Sequence, residues 1–346
     1  MKKNLILHIG MGKTGTSALQ DFFWTNRGRL KKIGLYYPKY GAVSHAHHLL
    51  SPHTPKHGAE HWHVKSVAEW AVELKKTSLD TVLLSSELMA WASRSQVIEF
   101  CQSVKEHFHP TVVIYVRRQD NIIMADYNQL VKAGWQKSAI ENVWQNSVLK
   151  FNYQKIIDPW AACLGKLNIV VRPYEQQQFH QGDIRHDFMY HVLGTEEYGA
   201  YAMPAGNANP RLNASAVSYK LQLYRTISDP SKVALFNDAL LSYSASSEGA
   251  DSSIFASQPL LSAESRNDII QRCGATNDFI AREYLGRDDG ILFFDPLPSP
   301  KDPWAKPSLT QDETQNITQY VVSFKPELSD LLFKENRRRA ASATPS

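Results

Sequence analysis

Cysteine is scarce in this chain of 346 residues: Cys101, Cys163 and Cys273 are the whole set, and they lie far apart. An odd, dispersed set argues against a disulfide framework or a closed cysteine-rich metal site, and it fits a reducing cytoplasm. Long apolar runs are lacking too. No stretch approaches the ~20 apolar residues that span a bilayer. The apolar run after Met1-Lys2-Lys3 meets Gly10 too soon to hold a signal peptide's core and cleavage site, so no N-terminal anchor is expected. Net charge is also small, 38 Lys and Arg against 34 Asp and Glu for a formal +4. That excess suits an anionic ligand in one pocket better than the broad basic face of a nucleic-acid binder. A composition 43% hydrophobic and 21% charged excludes disorder as the general state of the chain. No internal repeat is evident.

What is present is concentrated near the N-terminus. Leu5-Ile6-Leu7-His8-Ile9 reads as a buried strand, and Gly10-Met11-Gly12-Lys13-Thr14-Gly15-Thr16-Ser17 follows it as a Gly-rich loop opening a helix. Such a loop binds phosphate, because successive backbone N–H groups converge on an anion and the positive end of the helix points the same way. Gly10, Gly15 and the Ser17 hydroxyl match the spacing G-x-x-x-x-G-K-[ST] of nucleotide hydrolases. The lysine does not match: position 16 is threonine, and the cation, Lys13, stands two residues before the second glycine.

Downstream, Leu19, Phe22, Phe23 and Leu30 recur at near-helical spacing and predict an amphipathic helix ending near Gly34 and Pro38. Short apolar strands are expected at Thr81–Leu84, Pro110–Val116 and Asn168–Arg172, with helical patterns at 67–74 and 121–131 between them. This alternation predicts an α/β fold, a P-loop-type doubly wound parallel sheet with ligands beyond the carboxyl ends of its strands. Segments 213–227, 231–244 and 262–285 predict a largely helical C-terminal half. Residues 1–336 are read as a single domain and 337–346 as a flexible basic and polar tail.

The string Lys13-Thr14-Gly15-Thr16-Ser17 resembles the 5′-phosphosulfate loop of sulfotransferases, K-T-G-T-[ST] after a first strand. Val116-Arg117-Arg118-Gln119-Asp120 with Tyr127-Asn128-Gln129, Arg172-Pro173-Tyr174-Glu175 with Asp187-Phe188, and Tyr284-Leu285-Gly286-Arg287 are similar to segments of a bacterial, polysaccharide-modifying branch of that family. The resemblance implies 3′-phosphoadenosine 5′-phosphosulfate (PAPS) as donor, with Gly12, Lys13, Thr14, Gly15, Thr16 and Ser17 around its 5′-phosphate. It implies that Arg117, helped by Arg118, holds the 3′-phosphate. The family's second 3′-phosphate ligand is a serine eight residues later, and this chain has Ala125 there. The implied acceptor is a hydroxyl, on a carbohydrate or glycolipid.

Sulfuryl transfer needs a cation at the leaving oxygen, for which Lys13 is the candidate, and a base at the acceptor hydroxyl. It does not require a metal. Glu87 follows the strand Thr81–Leu84 at the ligand-bearing edge and is the first candidate base; equally, it could be a helix-start acid behind an N-cap Ser86. Seven of thirteen histidines, His45, His47, His48, His53, His57, His61 and His63, crowd one Pro- and Gly-interrupted segment. That segment reads as an acceptor-binding loop, with His47 or His48 as alternative base, or as a polar surface loop. Trp62, Trp91 and Trp135 are candidate stacking platforms for a sugar, or core residues. Two other classes stay open: a P-loop kinase or NTPase, opposed by Thr16, and a nucleotide-binding protein of the same fold that has lost transfer.

Overall fold

The computed structural model describes residues 2–54, 63–199, 201–204, 210–246 and 258–332. The chain falls into two compact units, Met1–Arg118 with Asn152–Ala208 and Cys273–Pro296, and Gln119–Phe151 with Asn209–Arg272 and Leu297–Ser346. Each unit draws on three separate stretches of chain, so no single linker divides them.

The first unit is built on five strands, β1 (Lys3–His8), β2 (Leu35–Tyr36), β3 (Thr81–Ser85), β4 (Phe108–Val116) and β5 (Ile169–Pro173). They form one parallel sheet in the order β2-β3-β1-β4-β5. The central strands are nearly continuous apolar runs because both of their faces are covered. Leu5, Leu7 and Val112 through Val116 are fully buried, and each such side chain contributes about 1.5–3 kcal/mol.

The two-residue period of the strands sorts these side chains between the two faces. On one face Ile6, Val113 and Tyr115 meet α1 (Thr16–Thr25), whose stripe Leu19, Phe22 and Phe23 forms a common core with Phe188 of a later helix, Ile184–Leu193. The rings of Phe23 and Phe188 cross at 4.9 Å. Trp70 of α2 (Val67–Lys75) stacks on Phe108 of β4 at 5.5 Å. Beside it, Phe100 of α3 (Arg94–His107) meets Trp160 of the helix Tyr153–Leu164 edge-on at 6.1 Å. Both α2 and α3 start at capping boxes, Ser66 with Glu69 and Ser93 with Gln96.

In the second unit the described elements are helical. They include α4 (Gln119–Ala133), which carries Ala125, and, after α5 (Tyr153–Leu164) and α6 (Ile184–Leu193) of the first unit, α7 (Ala214–Thr226), α8 (Asn237–Ala245) and α10 (Gln311–Phe324). Between α8 and α10 runs α9 (Ala263–Leu285). The α/β class, the parallel sheet and the helical C-terminal half expected from sequence are all present. The expected helical run at 231–244 is interrupted, as Pro230–Ala234 and then α8, with Phe236 fully buried at the break. The tail 337–346 lies outside the described residues. Among those described, no helix is long and apolar enough to cross a membrane.

Candidate functional site

Because β1 lies between β3 and β4, the carboxyl ends of three strands converge, carrying the Gly-rich loop, Glu87 and Arg117 respectively. The loop is pinned to β4 beyond the end of β1. Ile9 N–H donates to Val113 O at 2.9 Å, Met11 N–H to Tyr115 O at 3.1 Å, and Tyr115 N–H to Gly10 O at 2.8 Å. Thr14 then folds the loop back on itself, its hydroxyl donating to Met11 O at 2.6 Å. Helix α1 begins at Thr16 with no side chain capping it and no acid in its first turn. Its leading N–H groups therefore point into the loop uncapped by side chains, the arrangement that receives an anion.

Two backbone positions in the loop tolerate little else. Gly15 has φ 74°, and a Cβ there would stand 2.8 Å from Ile184 Cδ1 and 2.9 Å from Tyr174 Cε2. Gly10, at φ 110°, approaches so closely that a Cβ would stand 3.0 Å from Glu87 Cα. Lys13 also occupies the left-handed region, at φ 68°, without being glycine. Such a conformation costs about 1–3 kcal/mol and persists only where its surroundings enforce it. One enforcing contact is Arg117, whose Nη1 donates to Lys13 O at 3.1 Å.

The neighbouring wall is Ser85-Ser86-Glu87 at the end of β3. Ser86 N–H donates to His8 O at 3.0 Å, which extends the β1–β3 pairing. The Glu87 side chain then lies against the loop, its Cγ 3.9 Å from where a Cβ on Gly12 would be. Gln20 of α1, 4% exposed, donates from Nε2 to Glu87 Oε2 at 2.9 Å and to Ser85 Oγ at 3.2 Å. This amide joins the helix after the Gly-rich loop to the carboxylate, a link that no motif in the sequence marks. Its signal was spacing: Ser17, Gln20, Asp21 and Trp24 share one face of α1, opposite the apolar stripe.

The three histidines near this wall differ sharply. His47 is fully buried and both ring nitrogens are bonded to backbone: Nδ1 accepts from Ser85 N–H at 3.1 Å and Nε2–H donates to Pro38 O at 2.9 Å. Burial pushes its pKa down to about 4. His47 thus clamps the segment 38–47 onto β3, with no ring nitrogen left for an acceptor. His48 bonds Ser86 Oγ through Nδ1 at 2.8 Å and brings Nε2 to 4.0 Å from Glu87 Oε1. Burial lowers its pKa, partly opposed by the Glu87 charge. Ser86 Oγ is therefore engaged by His48, and it makes no cap to the short 3-10 turn Glu87–Trp91. His8, fully buried below, faces Ser85 Oγ through Nδ1 at 2.8 Å, and burial pushes its pKa down to about 3.

At the end of β4, Arg117 is held by Tyr153, whose OH accepts from its N–H at 3.2 Å and donates to its carbonyl, while its guanidinium lies 5.4 Å from the Tyr174 ring centroid. Arg118 is 4% exposed, and Nη1 donates to the carbonyls of Asp295 and Pro296, both at 2.9 Å. The carboxylate of Glu175 accepts from Phe294 N–H at 2.7 Å and Asp295 N–H at 3.0 Å. Arg118 and Glu175 together hold segment 294–296. Beneath, Asp187 is fully buried and accepts from Tyr115 OH, from Arg172 Nε and Nη2, and from His180 N–H.

The structure thus brings Gly12, Lys13, Thr14, Gly15, Thr16, Ser17, Glu87, His48 and Arg117 to one edge of the sheet, with His47 and Arg118 engaged by backbone groups. Trp91 ends the turn that Glu87 begins, and Trp135 is exposed in the second unit. His57, His61 and Trp62 lie outside the described residues. Among the described residues no group of three or more His, Cys, Asp and Glu is arranged to hold a metal ion. The arrangement pairs an anion cradle and a cation with an adjacent carboxylate.

No protein-family model and no curated protein sequence matches the chain. A solved sulfotransferase from Alicyclobacillus acidocaldarius is similar to it at 13% identity and a TM-score of 0.42, over 70% of this chain and 97% of that one.

Proposed function

We propose that the chain transfers the sulfuryl group of PAPS to a hydroxyl of a carbohydrate or glycolipid acceptor. The observation that carries this reading is the close approach of Glu87 to Gly10, where a Cβ would stand 3.0 Å from Glu87 Cα, in a Gly-rich loop whose only cationic residue is Lys13. In this reading Glu87 supplies the base and Lys13 the cation for an anion held by the loop. Glu87 takes the acceptor's proton while the acceptor oxygen attacks sulfur in line. The bond from sulfur to the bridging oxygen breaks, and its electron pair leaves on the 5′-phosphate. Lys13, the loop amides and the Thr16 and Ser17 hydroxyls meet that growing charge, as in the related loose transition states of phosphoryl transfer. Thr14 supports the loop through Met11 O.

Arg117 supplies a cation for the 3′-phosphate in this reading, and Arg118 acts by fixing the segment beside it. Gln20 and His48 orient the Glu87 carboxylate. The kinase alternative requires a lysine at position 16, where this chain has threonine. A cytoplasmic setting is part of the same proposal and rests on the low cysteine content. The test is incorporation of radiolabelled sulfuryl from PAPS into a panel of hydroxyl acceptors, with slow donor hydrolysis as the floor. Lys13→Ala should lose turnover more than donor affinity, since the charge it meets grows as the bond breaks. Undiminished turnover in that variant contradicts the proposal.

A further inference from the structure

Between Asp21 and Glu60 the sequence holds no acidic residue, yet it contains Arg27, Arg29, Lys31, Lys32, Lys39 and Lys56. Those six cations exceed the formal net charge of +4, so the rest of the chain is net negative. Of the described members, Arg29, Lys31, Lys32 and Lys39 are exposed. The segment therefore concentrates positive charge in sequence, and His47 clamps its stretch 38–47 onto β3.

Within it, one group of side chains is built rather than scattered. Val43 and Ala46 exchange backbone hydrogen bonds at 2.7 and 3.0 Å, closing a turn whose two central residues, Ser44 and His45, lie at φ 46° and 71° without being glycine. Tyr37 OH holds the turn by donating to His45 O at 2.7 Å. This costly conformation delivers the His45 ring to α1, where Nδ1 meets Asp21 Oδ1 at 2.7 Å and the ring stacks on Trp24 at 4.8 Å. Asp21 and His45 keep 37% and 40% of their side-chain surface open. The Arg27 guanidinium lies 3.8 Å from the Trp24 ring centroid, and its Nη1 is enclosed with no hydrogen-bond partner among the described residues. An enclosed guanidinium N–H without an acceptor is unusual, and an anionic oxygen is the acceptor that a guanidinium binds most strongly.

Resting on the proposed transfer reaction, we infer that Asp21, Trp24, Arg27 and His45 form an acceptor subsite for a sugar residue bearing a carboxylate or sulfate group. Arg27 receives the anionic group, Asp21 and His45 meet ring hydroxyls, and the exposed cations of 29–39 attract the rest of a polyanionic chain. The two groups are linked along α1. Trp24 is one helical turn from Gln20, which holds Glu87, and a turn of about 5.4 Å is close to the span of one sugar residue. The acceptor hydroxyl at Glu87 and the anionic group at Arg27 thus belong to one glycan.

The test measures binding of the full-length protein to oligogalacturonate, to dextran of matched length and to single-stranded DNA of matched charge. Oligogalacturonate should bind about tenfold or more tighter than dextran, and Arg27→Gln should remove most of that difference. Arg27→Lys, which keeps the charge and the packing stem, should retain part of it. Lys166→Gln, a remote surface change, should leave it intact. Equal binding of dextran and oligogalacturonate overturns the subsite. So does DNA binding as tight as that of oligogalacturonate, or a loss in Lys166→Gln equal to that in Arg27→Gln. The subsite and the reaction separate cleanly: discrimination between glycans without sulfuryl transfer refutes the reaction alone, and transfer equally fast to neutral and acidic glycans refutes the subsite alone.

Discussion

Glu87→Gln separates the proposed role of Glu87 as base from every other duty of that side chain. The carboxylate accepts from Gln20 Nε2 at 2.9 Å and lies 4.0 Å from His48 Nε2. A glutamine at 87 presents its carbonyl oxygen to Gln20 and its amide to His48, so shape and contacts survive. The Gln20 bond passes from charge-assisted to neutral, and the interaction with the start of the turn Glu87–Trp91 loses its charge. Each change is worth about 1 kcal/mol or less. Stability should therefore drop little. Chemistry should not be spared, because a positioned general base contributes about 100- to 10,000-fold. We expect kcat for sulfuryl transfer to fall by about 100-fold or more, with the thermal shift produced by 3′-phosphoadenosine 5′-phosphate nearly unchanged. Turnover within about threefold of wild type would refute the assignment and leave Glu87 a helix-start acid. His48→Asn, which keeps a bond to Ser86 but removes the imidazole beside Glu87, should show a smaller loss. A total loss there with full activity in Glu87→Gln would move the base to His48.

Gly15→Ala should abolish nucleotide binding and destabilise the fold by a few kcal/mol, since the new methyl would meet Ile184 and Tyr174 at under 3 Å in a left-handed backbone; normal binding by calorimetry would contradict the loop geometry. Arg172→Met strips the fully buried Asp187 of its guanidinium and should cost about 3–5 kcal/mol in urea denaturation, against which a loss under about 1 kcal/mol would count. His8 and His47 are held neutral by burial, at about 3 and about 4 in place of the ordinary 6.5. The unfolded chain protonates both near 6.5 and the folded chain does not. Their stabilisation is thus complete above that pH and is lost as pH falls, at up to about 2.7 kcal/mol per unit for the two together. A urea midpoint unchanged between pH 7 and 5 would contradict that burial.

The sheet was legible because β1, β3, β4 and β5 are apolar runs bounded by polar turns, and the loop because glycines mark positions where a side chain cannot fit. Edge strand β2 was not, since Leu35 and Tyr36 make only two pairings, to Thr81 and Val82, and a two-residue strand has no period to read. Helix α5 escaped because Pro159 sits inside it, where local propensity argues for a break. At the site, the loop residues and Glu87 could be placed by position after a strand. The sorting of histidines could not, because His45, His47 and His48 are close in sequence yet point respectively to α1, into backbone and to Ser86. Only the tertiary fold decides those directions. The same holds for Ser86, which has the sequence of an N-cap but bonds His48, and for Arg118, whose partners lie 177 and 178 residues away.

The proposed site holds two separated phosphates, with Lys13 at one and Arg117 at the other. Calorimetric titration of the intact protein with 3′-phosphoadenosine 5′-phosphate, beside Mg-ATP, reads it directly. One binding site for the bisphosphate is expected, at least about tenfold tighter than that for Mg-ATP and weakened about tenfold or more in Arg117→Ala. Equal or tighter binding of Mg-ATP, with Arg117→Ala indifferent to the bisphosphate, would contradict it.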